Sequence, residues 1–138
     1  MAYTRLRYHT VIATEHRRPW ITPDVEEFLY PVLTHTTERL GGKLIAIGGI
    51  EDHVHMVSAF PPAVSVAKFL EHLKAESTGA LKRHRRSLWH FAWCDGYGCF
   101  TLNPADLSGI IAYVRDQKAH HRHNDLREPY ERCDINDE

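Results

Sequence analysis

The spacing of apolar positions changes several times along the chain. From Leu6 to Thr14 apolar and polar residues partly alternate, the period of a strand with one buried face. Arg17-Arg18-Pro19 ends that segment. Val25, Phe28, Leu29, Val32, Leu33 and Leu40 then recur at helical spacing, with Thr22 as a cap, Pro23 at the first helical position and Gly41-Gly42 as the stop. Pro31 falls inside this run and predicts a kink or a break. Lys43 to Ile50 and roughly His53 to Phe60 are rich in β-branched residues without a helical period, and predict two strands with a turn near Gly48-Gly49 or Glu51-Asp52. Pro61-Pro62 closes the pair, and Ser65 caps a second helix whose apolar face is Val66, Phe69, Leu70, Leu73 and Leu81. Trp89 to Leu102, aromatic and glycine-bearing, reads as a loop entering a fourth strand around Cys99 to Leu102. Asn103-Pro104-Ala105-Asp106 opens a last helix running to about Asn124, with Leu107, Ile111 and Val114 as its core stripe.

The order β-α-β-β-α-β-α predicts an α+β fold, ferredoxin-like or RRM-like: an antiparallel sheet with helices on one face, plus a C-terminal helix. The 138 residues suit one domain, 1–138, large enough for its own core. A hydrophobic content of 43% excludes a disordered chain, and no apolar run approaches the ~20 residues that span a bilayer. Cys94, Cys99 and Cys133 are odd in number and form no CxxC pair, which argues against a disulfide framework and for a reducing cytoplasm. The formal net charge of -1 gives no global argument for nucleic acid, but the charge is segregated. Lys82-Arg83-His84-Arg85-Arg86 is a basic block, Arg17 and Arg18 lie near the N-terminus, and acids concentrate from Asp134 to Glu138. Such a block is either a solvated helix end favoured by the dipole or a phosphate-contacting patch.

Within the third strand, His53 and His55 alternate and therefore share a face. Two imidazoles on a rigid sheet are half of a metal site, or a packed and hydrogen-bonded pair. On the last helix Tyr113 and Gln117 are four apart and share a stripe, with His120 and His121 following. Gln117 offers an oxygen ligand and Tyr113 a nucleophile; the plainer reading is an amphipathic helix with a half-exposed tyrosine. No phosphate loop accompanies Gly41-Gly42-Lys43 or Gly96-Tyr97-Gly98.

Five blocks in order resemble the HUH single-strand DNA transposases with one catalytic tyrosine, and especially the REP-associated tyrosine transposases. These are Tyr8-His9 through Arg17-Arg18-Pro19, Gly49 to Met56 around His53-Val54-His55, Pro61-Pro62 with Leu73-Lys74-Ala75-Glu76-Ser77, Phe91 to Phe100, and Ile111 to Gln117 followed by His120-His121. The resemblance implies that Tyr113 attacks single-stranded DNA at hairpin ends. It implies a 5′-phosphotyrosine intermediate, and a divalent cation, Mg or Mn, on His53, His55 and Gln117. It also implies a homodimer in which the tyrosine helix of one subunit completes the site of the other. Arg17, Arg18, Lys74, Lys82, Arg83, Arg85 and Arg86 are the expected backbone contacts, and Trp93, Tyr97 and Phe100 are candidates for base stacking or core packing. The general base is open between His120 and His121. Two alternatives differ in kind: a non-catalytic single-strand-binding module of RRM-like fold, and a host-domesticated relative with the same nicking chemistry. A cupin-like metal enzyme fits poorly, because Met56 to Pro62 offers no glutamate ligand and the helical periods do not suit a barrel.

Overall fold

The computed structural model of the protein describes residues 2–123 and 126–133. Its strands are β1 (Arg7–Ala13), β2 (Lys43–Ile50), β3 (His53–Ala59) and β4 (Gly98–Thr101). Its helices are α1 (Pro23–Arg39), α2 (Val66–His84), α3 (Leu107–Arg115) and α4 (Gln117–Arg122). A further 3₁₀ turn, Glu128–Glu131, lies in the C-terminal segment. The strands form one antiparallel sheet in the order β2-β3-β1-β4, the topology of a ferredoxin-like fold.

Alternation along the strands sorts side chains onto two faces. Ile12, Val54 and Met56 face α1 and α2 and join Leu29, Leu33, Phe69, Leu70 and Leu73 in the main core. On the other face, Val11 pairs with His55, Ala13 with His53 and His9 with Val57. Ala46 and Val57 carry Ile110 and Val114 of α3 there. The sheet is therefore covered on both sides, with α1 and α2 on one face and the tyrosine helix on the other.

Several local expectations are corrected. The helix bearing Pro31 is continuous from Pro23 to Arg39. Pro31 is exposed, so the carbonyl that loses its amide partner can be hydrated. Thr22 does not accept an amide; its hydroxyl donates to Asp24 Oδ1 at 2.6 Å. Ser65 does cap α2, accepting from the Lys68 amide at 3.4 Å. The turn between β2 and β3 is at Glu51-Asp52. The last helix is two helices, broken at Asp116 (φ -99°, ψ 26°), and its expected end at Asn124 lies outside the described residues, as does the acidic stretch from Asp134.

Two glycines on the site face of the edge strands admit neighbouring backbone. A Cβ on Gly48 would stand 1.9 Å from the Val114 carbonyl oxygen of α3, and one on Gly98 would stand 1.9 Å from the Arg132 carbonyl oxygen. Backbone rather than flexible side chain blocks the way at both places. Gly48→Ala should therefore lower stability by about 1–3 kcal/mol, the range for overpacking, in urea unfolding. A loss within experimental error would mean that α3 does not lie on β2 as described.

Candidate active site

Six elements converge on the face opposite α1 and α2. Strand β3 supplies His53 and His55, β1 supplies His9, the Glu51-Asp52 turn supplies Asp52, α3 and α4 supply Tyr113, Gln117 and His121, and the C-terminal 3₁₀ turn supplies Glu131. His55, His9 and Gln117 are 0% exposed, His53 2% and Tyr113 1%. The half-exposed tyrosine of the plainer reading is thus absent, and Tyr113 is buried against chemistry-bearing groups.

The imidazoles present their Nε2 atoms to a common point. His53 Nε2 lies 3.2 Å from Gln117 Oε1, 3.3 Å from Glu131 Oε1 and 3.2 Å from His121 Nε2. His55 Nε2 lies 3.1 Å from Glu131 Oε2. His121 Nε2 is 3.1 Å from Gln117 Oε1 and 3.3 Å from Glu131 Oε1. The Nδ1 atoms point outward to orienting partners: His53 to Asp52 Oδ1 at 2.7 Å and His55 to His9 Nε2 at 2.8 Å. Outer partners of this kind fix tautomer and ring angle. Arg17 stands 3.9 Å behind Asp52. The Tyr113 hydroxyl donates to Glu131 Oε2 at 2.6 Å and accepts the Arg127 amide at 3.0 Å, and its ring is edge-on to His55 with centroids 6.0 Å apart.

Burial and charge divide these groups. Burial opposes a charge on His53, but the carboxylates of Asp52 and Glu131 outweigh it and hold its pKa up at about 9. Burial pushes His55 down, and it pushes His9 down to about 3, with the neighbouring His55 adding to the effect. Burial and the bond to Glu131 push the Tyr113 phenol up to about 12. Glu131 is itself partly buried, yet the imidazoles and the phenol keep its carboxylate ionised far below the usual range.

The donor set suits a divalent cation. Ligand atoms of His53, His55 and Glu131 lie within 4.8 Å of one another. The Nε2 of His55 is buried and makes no directed hydrogen bond, although Glu131 stands beside it. Two imidazole nitrogens with amide and carboxylate oxygens are ligands that first-row and hard divalent ions accept.

Among the residues expected from sequence, the structure brings His53, His55, Tyr113 and Gln117 together within one chain, and adds His121. His120 lies against the Tyr113 ring, at a centroid distance of 4.6 Å. Lys74 is engaged with the carbonyls of Cys94 at 2.8 Å and Gly96 at 2.5 Å, and Arg85 with Asp24 at 2.5 Å. Arg83 lines the outer groove between α1 and α2, on the far face of the sheet. Trp93 is 7% exposed, with its indole N–H donating to Ser77 at 2.9 Å, so it packs. Phe100 is partly buried against His9, and Tyr97 is 36% exposed. Sequence reasoning missed Glu131, Asp52 and the role of His9. Asp52 precedes His53 and His9 sits at a site-facing strand position, so both carried a weak signal; Glu131 lies in an aperiodic stretch and carried none.

A ferredoxin-like sheet with a His-x-His strand, faced by two consecutive helices that bear a tyrosine and a glutamine, defines a single-tyrosine HUH protein. The family model "Transposase IS200 like" matches residues 2–117, and the chain belongs to that family of DNA-transposing, strand-recombining enzymes. The transposases for insertion sequence element IS200 of Salmonella typhimurium LT2 and Salmonella typhi are each 29% identical over 126 residues, covering 85% of this chain and 81% of theirs. A putative transposase from Deinococcus radiodurans R1 has the same fold, with TM-score 0.68, 21% identity, and coverage of 84% of this chain and 93% of that one. A REP-associated tyrosine transposase, solved bound to a REP hairpin, matches with TM-score 0.66 and 13% identity over 92% of this chain and 74% of that one.

The pKa shifts fix a pH profile for the cation-free protein. His53 is raised from 6.5 to about 9, so its contribution is complete below pH 6.5 and is lost as pH rises toward 9. His9 is lowered from 6.5 to about 3, so its contribution is complete above pH 6.5 and is lost as pH falls toward 3. Stability in chelator should peak near pH 6.5, measured by urea unfolding across the range. His53→Gln should flatten the alkaline limb and His9→Phe the acid limb. A wild-type profile with no decline above pH 6.5 would contradict the assigned charge on His53.

Proposed function

We propose that the protein nicks and rejoins single-stranded DNA at hairpin ends, through a tyrosine-linked intermediate formed at Tyr113. The observation carrying this reading is the contact between the Tyr113 hydroxyl and Glu131, a carboxylate that also touches His53 and His55. Nucleophile, proton acceptor and cation ligands meet at one side chain.

In this reading the Tyr113 oxygen bonds to phosphorus and the bond to the 3′ oxygen breaks. That leaves a 5′-phosphotyrosine and a 3′-hydroxyl, the latter taking its proton from solvent. Resealing reverses the exchange, so no nucleotide is hydrolysed. With a pKa near about 12, the phenol needs an acceptor, and Glu131 Oε2 at 2.6 Å takes its proton. His53 and His55, with the Gln117 and Glu131 side-chain oxygens, would hold Mg or Mn. Such an ion supplies charge stabilisation at the phosphoryl oxygens. Asp52 and His9 hold the two imidazoles with Nε2 turned inward. Arg18, Lys82, Arg83 and Arg86 are assigned to the DNA backbone, along with Arg17, Lys74 and Arg85 once their present partners release them.

The RRM-like binding module receives less support, because such a module binds through an open sheet face. Here that face is covered by α3 and by the segment from Leu126 to Cys133. A host-domesticated relative would have the same site and the same reactivity.

Single-stranded hairpin DNA with Mn²⁺ should give a denaturation-resistant protein–DNA adduct that Tyr113→Phe abolishes. Tight binding with no adduct on any hairpin would overturn the reading. Glu131→Gln should slow adduct formation about 100-fold, the usual scale of general-base catalysis; an unchanged rate would remove Glu131 from that role. For a homodimer, we read the site as completed within each chain, since Tyr113 already stands beside its own His55. A mixture of Tyr113→Phe and His53→Ala proteins should then stay inactive as a heterodimer, whereas recovered activity would mean that the tyrosine helices exchange.

A further inference from the structure

Trp89 is 71% exposed, although the backbone on both sides of it is anchored. Leu88 before it is 5% exposed and Phe91 after it 1%, and the Trp89 amide donates to the Arg86 carbonyl at 3.2 Å. The indole is therefore held out in water by a fixed turn rather than left on a loose end. An exposed side chain of this size on a fixed backbone is an unusual use of apolar surface.

Trp89 begins a series of rings and cations. Its ring lies 4.5 Å from that of His90, and His90 lies 5.6 Å, edge-on, from Trp20. Trp20 is anchored from beneath by Phe91, at a centroid distance of 5.2 Å. The Arg18 guanidinium sits 5.4 Å over the Trp20 ring. Arg17, the next residue toward the site, reaches Asp52, which orients His53. The series thus runs from the exposed indole, past a Trp20 partly buried against the main core, to the Arg17-Arg18 turn, whose Arg17 reaches the Asp52 that orients His53. Arg18 and Arg86, at either end of the rings, are exposed and have no ion-pair partner among the described residues. The turn that delivers Arg17 and Arg18 holds His16 at φ 56° and Arg17 at φ 53°, left-handed conformations that cost non-glycine residues energy and persist where the surroundings impose them.

Rings in series with unpaired cations match single-stranded DNA, whose bases offer π-faces and whose phosphates offer charge at each step. Paired duplex offers the charge without the faces. We propose that Trp89, His90 and Trp20, flanked by Arg18 and Arg86, are a stacking track for unpaired bases of the strand whose phosphodiester enters the His53–Tyr113 site. This rests on the nicking-and-joining reading for the identity of the strand. The track departs from the aromatics singled out in the sequence, because Trp93 is committed to Ser77 and the core.

The test uses the full chain in a Tyr113→Phe background, so that only binding is read, with a fluorescein-labelled single-stranded oligonucleotide of mixed sequence. Trp89→Ala should weaken binding about ten-fold, the scale of one lost base–aromatic stack, and Trp89→Phe should recover most of it. An oligonucleotide with consecutive abasic sites should lose a similar factor with the parent protein and almost nothing more with Trp89→Ala. Duplex binding should change less than two-fold, and the melting temperature should not move. Equal single-strand affinity for Trp89→Ala, or an abasic penalty of the same size in both proteins, overturns the track. So does a Trp89→Ala protein that loses self-association in sedimentation while keeping its DNA affinity, which would make the patch a protein interface. With Tyr113 restored, failure of the track leaves the hairpin adduct forming normally, whereas failure of the nicking reading shows as no adduct in any variant.

Discussion

A phenol stands beside two imidazoles in this chain because a helix backbone lies directly on a strand. The approach is made at Gly48, where any side chain would meet the Val114 carbonyl of α3. Val114 follows Tyr113, so the spacing between β2 and α3 also sets the height of the tyrosine ring above the sheet. The antiparallel register does the rest: Val11 opposite His55 and Ala13 opposite His53 place small or apolar neighbours beside the imidazoles and leave their edges free to turn toward the helix. Ile110 and Val114 then fix α3 by burying against Ala46 and Val57.

The electrostatic arrangement follows from that burial. Four histidines and two carboxylates in a largely buried space are tolerable only as a mutually compensating set. Asp52 and Glu131 hold one imidazole charged, while His9 and His55 are kept neutral by desolvation. The neutral pair shares a proton between Nε2 of His9 and Nδ1 of His55, and His9 Nδ1 has no hydrogen-bond partner among the described residues. A site already built around ionised oxygens and inward-facing nitrogens needs little rearrangement to receive a cation.

Much of the fold was legible because period and punctuation agreed. Alternation marked β1, Ser65 marked the start of α2, and Pro61-Pro62 marked the end of β3. The helical stripe of Tyr113 and Gln117 and the strand alternation of His53 and His55 were both local patterns, so each half of the site could be read separately, and family resemblance joined them. What could not be read were features set by tertiary contact. Pro31 stays inside a continuous helix because it faces water. The last helix breaks at Asp116 without a proline or glycine to announce it. Glu131 reaches the site only because the C-terminal segment folds back across Gly98, and nothing in Arg-Glu-Pro-Tyr-Glu-Arg encodes that destination by spacing.

The family model ends at Gln117, and the carboxylate at the centre of the site comes fourteen residues later. The matched residues thus hold Tyr113, His53, His55 and Asp52, while Glu131 arrives on a later strip seated on one glycine of a four-residue edge strand. Two parts of the candidate site thus lie on stretches of chain that only tertiary contact brings together. A change confined to the later strip can therefore alter the acidity of the cluster while leaving in place the scaffold that aims the tyrosine ring.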